Sequence, residues 1–341
     1  MRHYKYFNKN GECNLPFIQE IIGARLRGSQ HFLILDSNVC FDIIQVVNKK
    51  VLNEPNLTAL TSFFGYLEKH PIDVGGAFGI YELALGKLIY DEDSINKYYD
   101  FQNKLMFGLD LNIDQIRNRN FNYYPKQNLD KHIESSFISE SIKRSYVSLL
   151  KMRAIGIRNG INKKNASKNV IEFLEWLDSK LNISLGVEIQ LALYLFGGKG
   201  NFKKMIYFDN LKSENFVRTL RGTAWDINHF RMLLSMEGLR EELKNTDIPI
   251  FVTRDENFIN LVSEIDTKFI IKTTTNPVMP GFTISYNCPF FLGNEIELNS
   301  ILDNHKISRR FKLNTPPMMS NVIDDEIKKL ENINLSSFSY N

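Results

Sequence analysis

A chain of 341 residues, 43% apolar and 24% charged, can bury a sizeable core and suits one large globular domain or two. A formal net charge of +3 permits an anionic partner without requiring one. Three scattered cysteines, Cys13, Cys40 and Cys288, exclude a disulfide framework, and no run reaches the roughly 20 apolar residues of a membrane span. The stretch Met1–Tyr6 lacks the apolar run of a signal peptide, so a reducing cytoplasm is the expected compartment.

Residues 1–30 are expected to begin irregularly and then form a short helix from Pro16 to about Arg27, with Pro16 suited to a first helical turn. Phe32-Leu33-Ile34-Leu35 is a continuous apolar run that reads as a buried parallel strand, ending in Asp36-Ser37-Asn38. In open α/β sheets, ligands and chemistry gather at the carboxyl edge of such strands. A capping role for Asp36 or Ser37 at the next helix is the plainer alternative. Phe41, Ile43, Ile44 and Val47 then form a helical stripe, residues 53–56 read as a loop, and Leu57 to Lys69 reads as a helix closed by Pro71.

The glycines of Gly75-Gly76-Ala77-Phe78-Gly79 precede a helix reaching to about Tyr90, and no Lys-Ser/Thr follows to make a phosphate loop. Glu82 is the one acid on this apolar helix, among Phe78, Ile80, Leu83 and Leu85. Buried carboxylates are rare unless paired or bound to metal, and the alternatives are an exposed stripe or a pair with Lys87. Helices are expected over 93–107, 134–155, 167–182 and 184–196, the last stopping at Gly197-Gly198.

This middle block is basic. Between Ser141 and Asn169 lie Lys143, Arg144, Lys151, Arg153, Arg158, Lys163, Lys164 and Lys168, with no acid. Upstream, Arg117, Arg119, Lys126 and Lys131 surround Phe121, Tyr123 and Tyr124. Cations neutralise phosphates and interleaved aromatics stack bases, although most charge runs are solvated faces. A long helix from Ser213 to Met236, broken or bent near Gly222, carries Asp226 beside Trp225 and Ile227, with His229 given a packing or hydrogen-bonding role. Pro249–Val252 reads as a second strand leading into Thr253-Arg254-Asp255, with a helix after it and a third strand at Phe269–Ile271. A last helix is expected near Asp324–Glu331.

Two strand-end acids, Asp36 and Asp255, and two helix acids, Glu82 and Asp226, could converge on one sheet edge. Crowded carboxylates repel and call for a cation, and an oxygen-rich set suits Mg²⁺ or Mn²⁺. In order and flanks this pattern resembles the PIN domain, a metal-dependent nuclease family that includes VapC-type toxins. The resemblance rests on Asp36-Ser37-Asn38, Ile80-Tyr81-Glu82-Leu83, Ala224-Trp225-Asp226-Ile227 and Thr253-Arg254-Asp255 with Phe258. It implies an α/β fold with a central parallel sheet flanked by helices. It also implies metal carboxylates at Asp36, Glu82, Asp226 and Asp255, with Asn38 and Thr253 as supporting polar groups.

The pattern covers roughly residues 28–90 and 215–275, within a discontinuous core at 1–90 and 215–275 that is interrupted by a helical insertion at 91–214 and followed by a C-terminal extension at 276–341. Given that long gap, Asp209 and Glu214 are alternatives for the third acid. The implied activity is hydrolysis of RNA or single-stranded nucleic acid, as in a toxin or defence effector, with room for a homodimer or a regulatory protein partner. The competing readings are an inactive PIN-like binding or scaffolding protein, and a phosphatase with Asp36 as nucleophile. The phosphatase type normally has a second Asp where this chain has Asn38. GxSxG, HExxH, P-loop and zinc-spacing motifs are absent.

Overall fold

The computed structural model describes residues 4–8, 11–86, 91–124, 136–183, 185–206, 215–242, 247–264, 267–271, 279–282, 288–291, 296, 299–305 and 320–336. Contacts divide the chain into two compact units. The first comprises Met1–Ile133, His229–Ser263 and Phe269–Pro280, and the second comprises Glu134–Asn228, Glu264–Lys268 and Gly281–Asn341.

The elements run β1 (Lys5–Asn8), β2 (Gly11–Cys13), α1 (Ile18–Leu26), β3 (Gln30–Leu35), α2 (Ser37–Val47), α3 (Glu54–Leu67), β4 (Asp73–Gly75), α4 (Ala77–Leu85), α5 (Glu92–Leu109) and α6 (Ile113–Asn118). There follow α7 (Ser136–Asn159), α8 (Ala166–Trp176), α9 (Gly186–Phe196), α10 (Asn201–Met205) and α11 (Phe216–Glu242). Then come β5 (Asp247–Thr253), α12 (Glu256–Glu264), β6 (Thr267–Ile271), β7 (Met279–Phe282) and a last helix, Ser320–Ser336.

The fold is mixed α/β, with one five-stranded sheet of order β2-β1-β5-β3-β4. β3 pairs in parallel with both β5 and β4, while β1 is antiparallel to β5 and β2. The expected central parallel sheet is present at β5-β3-β4, and an antiparallel hairpin of β1 and β2 extends it at one edge. The N-terminal segment is not irregular, because Tyr6 and Phe7 of β1 align with Val252 and Phe251 of β5. That strand of four residues is too short for its alternation to stand out in sequence. β4 is shorter still, and a three-residue strand blunts each edge of the sheet. The predicted strand at Phe269–Ile271 lies within β6, which pairs with β7 in a separate two-stranded sheet.

Leu33, Ile34 and Leu35 are buried, as a strand flanked by parallel neighbours requires. The α2 face Val39, Cys40, Ile43, Ile44 and Val47 is also buried, each large side chain contributing about 1.5–3 kcal/mol. Beyond β5, Phe251 stacks on Phe258 of α12 at 4.4 Å, and Phe7 meets Phe258 edge-on at 5.9 Å. α3 begins earlier than expected, because Asn53 accepts the Asn56 amide at 3.0 Å and Pro55 sits in the first turn.

The first unit runs on through α5 and α6, a stretch expected to belong to the insertion. The reason is packing. Gly108 of α5 lies so close to α2 that a Cβ there would come within 2.3 Å of Ile43, and Tyr98 of α5 packs on Tyr81 of α4 at 4.6 Å.

In the second unit, α7 to α10, the first part of α11 and the last helix form a helical body. Asn334 of the last helix reaches the Leu150 carbonyl of α7 at 3.2 Å. α8 runs into a π-helical turn at Leu177–Leu181. α11 is one continuous helix through Gly222, not a broken one, and a Cβ added at that glycine would meet nothing within 4 Å. None of the described helices is long and apolar enough to cross a membrane.

Candidate metal centre

The parallel register sets the site. Leu35 aligns with Val252, and the Asp36 amide donates to the Val252 carbonyl at 3.0 Å. The two strands therefore end level, with Asp36 beside Thr253 at the carboxyl edge. Asp36 is 2% exposed and caps α2 while standing at the carboxyl edge of β3. Its Oδ1 accepts the Ser37 amide at 2.6 Å, and its Oδ2 accepts the Thr253 hydroxyl at 2.5 Å and the Asn38 side-chain amide. Asn38 Oδ1 accepts the Arg254 amide at 3.3 Å, and Thr253 Oγ1 accepts the Asp255 amide at 2.9 Å.

α4 brings in Glu82. It comes close because Gly79 has no side chain: a Cβ there would lie 2.8 Å from backbone atoms of Leu35, Asp36 and Ser37. α11 contributes His229, whose Nδ1 lies 3.6 Å from Asp36 Oδ1 and 3.8 Å from Glu82 Oε2. One ligand atom each from Asp36, Glu82 and His229 falls within 4.8 Å of the others.

Asp255, partly exposed, caps α12 by accepting the Phe258 amide at 3.3 Å. Its charge acts on both Glu82 and His229. From α11 it is His229 that joins the acids. Asp226, one turn earlier and 7% exposed, falls in the second unit. Asp209, Glu214 and Lys87 lie outside the described residues.

Burial dominates the electrostatics. It pushes the Asp36 carboxyl up, opposed by hydrogen bonds from Thr253, Ser37 and Asn38. Burial, and then the Asp36 charge, hold Glu82 well above the ordinary carboxylate range, against a hydrogen bond with the Ser37 side chain. Burial lowers His229 to about 4, against a hydrogen bond to the Phe78 backbone and the charge of Asp255. At neutral pH the ring is therefore neutral and carries a lone pair. A buried Asp36 carboxyl and a half-buried Glu82 carboxyl, both resisting ionisation beside a neutral imidazole, form a donor set that a divalent cation fits, since its charge offsets the repulsion.

A second buried group supports this edge. Asp42 of α2, 1% exposed, accepts Tyr4 Oη at 2.9 Å, Asn56 Nδ2 at 3.3 Å and a two-pronged contact from Arg254, with Nη2 at 3.1 Å and Nη1 on the other oxygen. Arg254 lies between Thr253 and Asp255, so the turn bearing Asp255 is fastened to α2. The sequence-based expectations do not include this group, although Asp42 carries the signal that singles out Glu82: one acid inside an apolar helical stripe.

The expected basic surface is largely consumed within the second unit. Lys143 pairs with Asp324 at 2.8 Å, Arg144 with Glu140 at 2.8 Å and Lys151 with Glu172 at 2.9 Å, while Arg158 pairs with the other Glu172 oxygen. Arg153 is fully buried, 4.8 Å over the Phe216 ring and 3.4 Å from Asn334. Among the described residues Arg117, Arg119, Lys163 and Lys164 make no ion pair; Lys126 and Lys131 lie outside them. In the first unit, Tyr124 is 77% exposed at a cavity of about 190 Å³ that Gln102, Phe107 and Tyr123 also line. No protein-family model, no curated protein and no solved structure matches this chain.

Proposed function

We propose that the chain is a divalent-metal-dependent phosphodiesterase of PIN-like type, acting on RNA or single-stranded nucleic acid. The observation that carries this reading is the convergence of Asp36, Glu82 and His229, with Asp255 nearby, at the carboxyl edge of β3 and β5. The order Asp-Ser-Asn, helical Glu and Thr-Arg-Asp along the chain supports the PIN-like assignment.

Asp36, Glu82 and Asp255 would hold Mg²⁺ or Mn²⁺, which when bound supplies water activation and charge stabilisation for in-line displacement at phosphorus. Thr253 and Asn38 orient the Asp36 carboxylate by donating to it. Exclusion of bulk water around Asp36 and His229 strengthens every charge interaction there. Arg117 and Arg119 would neutralise phosphates, and Tyr123 and Tyr124 would stack bases.

The test is cleavage of labelled single-stranded RNA and DNA with Mg²⁺ or Mn²⁺, against EDTA, by wild type and Asp36→Asn. The expected result is metal-dependent cutting that falls roughly 100-fold or more in the folded variant. Equal cutting by the variant, or no cutting by wild type of either polymer, overturns the reading.

A further inference from the structure

We infer that His229 is a direct metal ligand, and that the site selects a first-row transition ion, Mn²⁺ or a later member of the series, over Mg²⁺ and Ca²⁺. This rests on the metal-dependent reading above and goes beyond it in naming the nitrogen donor and the class of ion. Oxygen-only sites suit Mg²⁺ and Ca²⁺, whereas imidazole is a donor for the transition series, whose affinities rise from Mn²⁺ towards Cu²⁺.

Geometry favours ligation over packing. Donor atoms sharing one ion at about 2.0–2.2 Å lie roughly 3–4.4 Å from one another. His229 Nδ1 is 3.6 Å and 3.8 Å from the nearest Asp36 and Glu82 oxygens. These separations are too long for good hydrogen bonds and right for a shared cation.

The ring is also held in place. It is 2% exposed and packs 5.5 Å from the Phe251 ring. The pocket disfavours Mg²⁺ for a second reason. Mg²⁺ sheds water reluctantly and keeps several waters, whereas Asp36 and His229 are almost fully enclosed.

The experiment measures ion binding, not turnover. Metal-stripped full-length protein is titrated with Mn²⁺ and with Mg²⁺ by calorimetry, and the Mn²⁺ form is examined by pulsed electron paramagnetic resonance for ¹⁴N coupling from a bound imidazole. Wild type is expected to bind Mn²⁺ at least about tenfold more tightly than Mg²⁺ and to show the coupling. In His229→Gln the coupling disappears, and Mn²⁺ affinity falls roughly 10–100-fold while Mg²⁺ affinity barely changes.

Binding of both ions without preference, or Mn²⁺ bound without ¹⁴N coupling, overturns the inference and leaves the metal-dependent reading standing. Failure of wild type to bind either ion overturns both. If His229→Gln does not fold, the wild-type coupling and selectivity still decide the matter.

Discussion

Thr253 donates its hydroxyl proton to Asp36 at 2.5 Å across 217 residues of chain. The same oxygen accepts the Asp255 amide at 2.9 Å, so one hydroxyl both orients the buried carboxylate and shapes the turn that carries the next acid. The Asp36 amide, donating to the Val252 carbonyl at 3.0 Å, joins the same two strand ends through the backbone.

Thr253→Val keeps the shape of this side chain and removes its hydrogen bonds with Asp36, with the Asp255 amide and with the Asn38 side-chain amide, the last at 3.3 Å. The Asp255 amide loses its acceptor, and the expected cost is about 1–3 kcal/mol by urea denaturation. Mn²⁺ affinity falls roughly 10–100-fold, as for other groups that orient metal ligands. Thr253→Ser should restore most of both. A valine variant with wild-type metal affinity would remove Thr253 from the site.

Gly79→Ala sets helix propensity against space. In an open helix the change would stabilise by about 1 kcal/mol. Here the new Cβ would meet backbone atoms of Leu35, Asp36 and Ser37 at 2.8 Å, and backbone cannot swing aside. A net loss of about 1–3 kcal/mol is expected, with weaker metal binding because Glu82 rides on the same helix. Thermal denaturation and calorimetry check both; a stabilised variant would show that α4 does not need the close approach.

The Asp42–Arg254 pair should behave as a unit. Removing one partner leaves a buried charge without its counterpart, at a cost of about 3–5 kcal/mol. A double-mutant cycle of Asp42→Asn and Arg254→Gln is expected to show a coupling of roughly 1–3 kcal/mol in chemical denaturation. Additive losses would mean that the fork does not hold the turn.

The pH dependence of the metal-free protein follows from His229. Its folded value of about 4 lies below the ordinary 6.5, so between these values the unfolded chain binds the proton and the folded chain does not. The stability it contributes is therefore complete above pH 6.5 and is lost as pH falls towards 4. At ~1.4 kcal/mol per pH unit, this amounts to at most roughly 3 kcal/mol. Glu82 acts with the opposite sign, since its folded carboxyl keeps its proton above the ordinary value and costs stability as pH rises. In EDTA, the stability advantage of wild type over His229→Gln should shrink from pH 7.5 to 4.5. A constant difference would contradict the burial-driven shift.

Much of this edge is legible in the sequence, because the signals are local. The apolar runs before Asp36 and Thr253 each mark a strand and its end, and the lone acid at Glu82 marks a helix. What stays hidden depends on distant partners. The cations of 141–169 look unbalanced only because their acids, Glu140, Glu172 and Asp324, lie outside that window. His229 reads as a packing residue because a single histidine carries no spacing pattern. The pairing of β1 with β5 joins segments more than 240 residues apart, and no periodicity encodes it.

β5 lies between β1 and β3, so it supplies the pairing partner for both halves of the sheet. It is also the last of the five strands to leave the ribosome. At about 5–20 residues per second, roughly 10–45 s separate synthesis of Asp36 from that of Thr253. Throughout most of that interval the nascent chain carries Asp36 and Glu82 but has neither the Thr253 hydroxyl nor His229 and Asp255. Synthesis in this order leaves the group of Asp36, Glu82, His229 and Asp255 incomplete until the last of the four has been added.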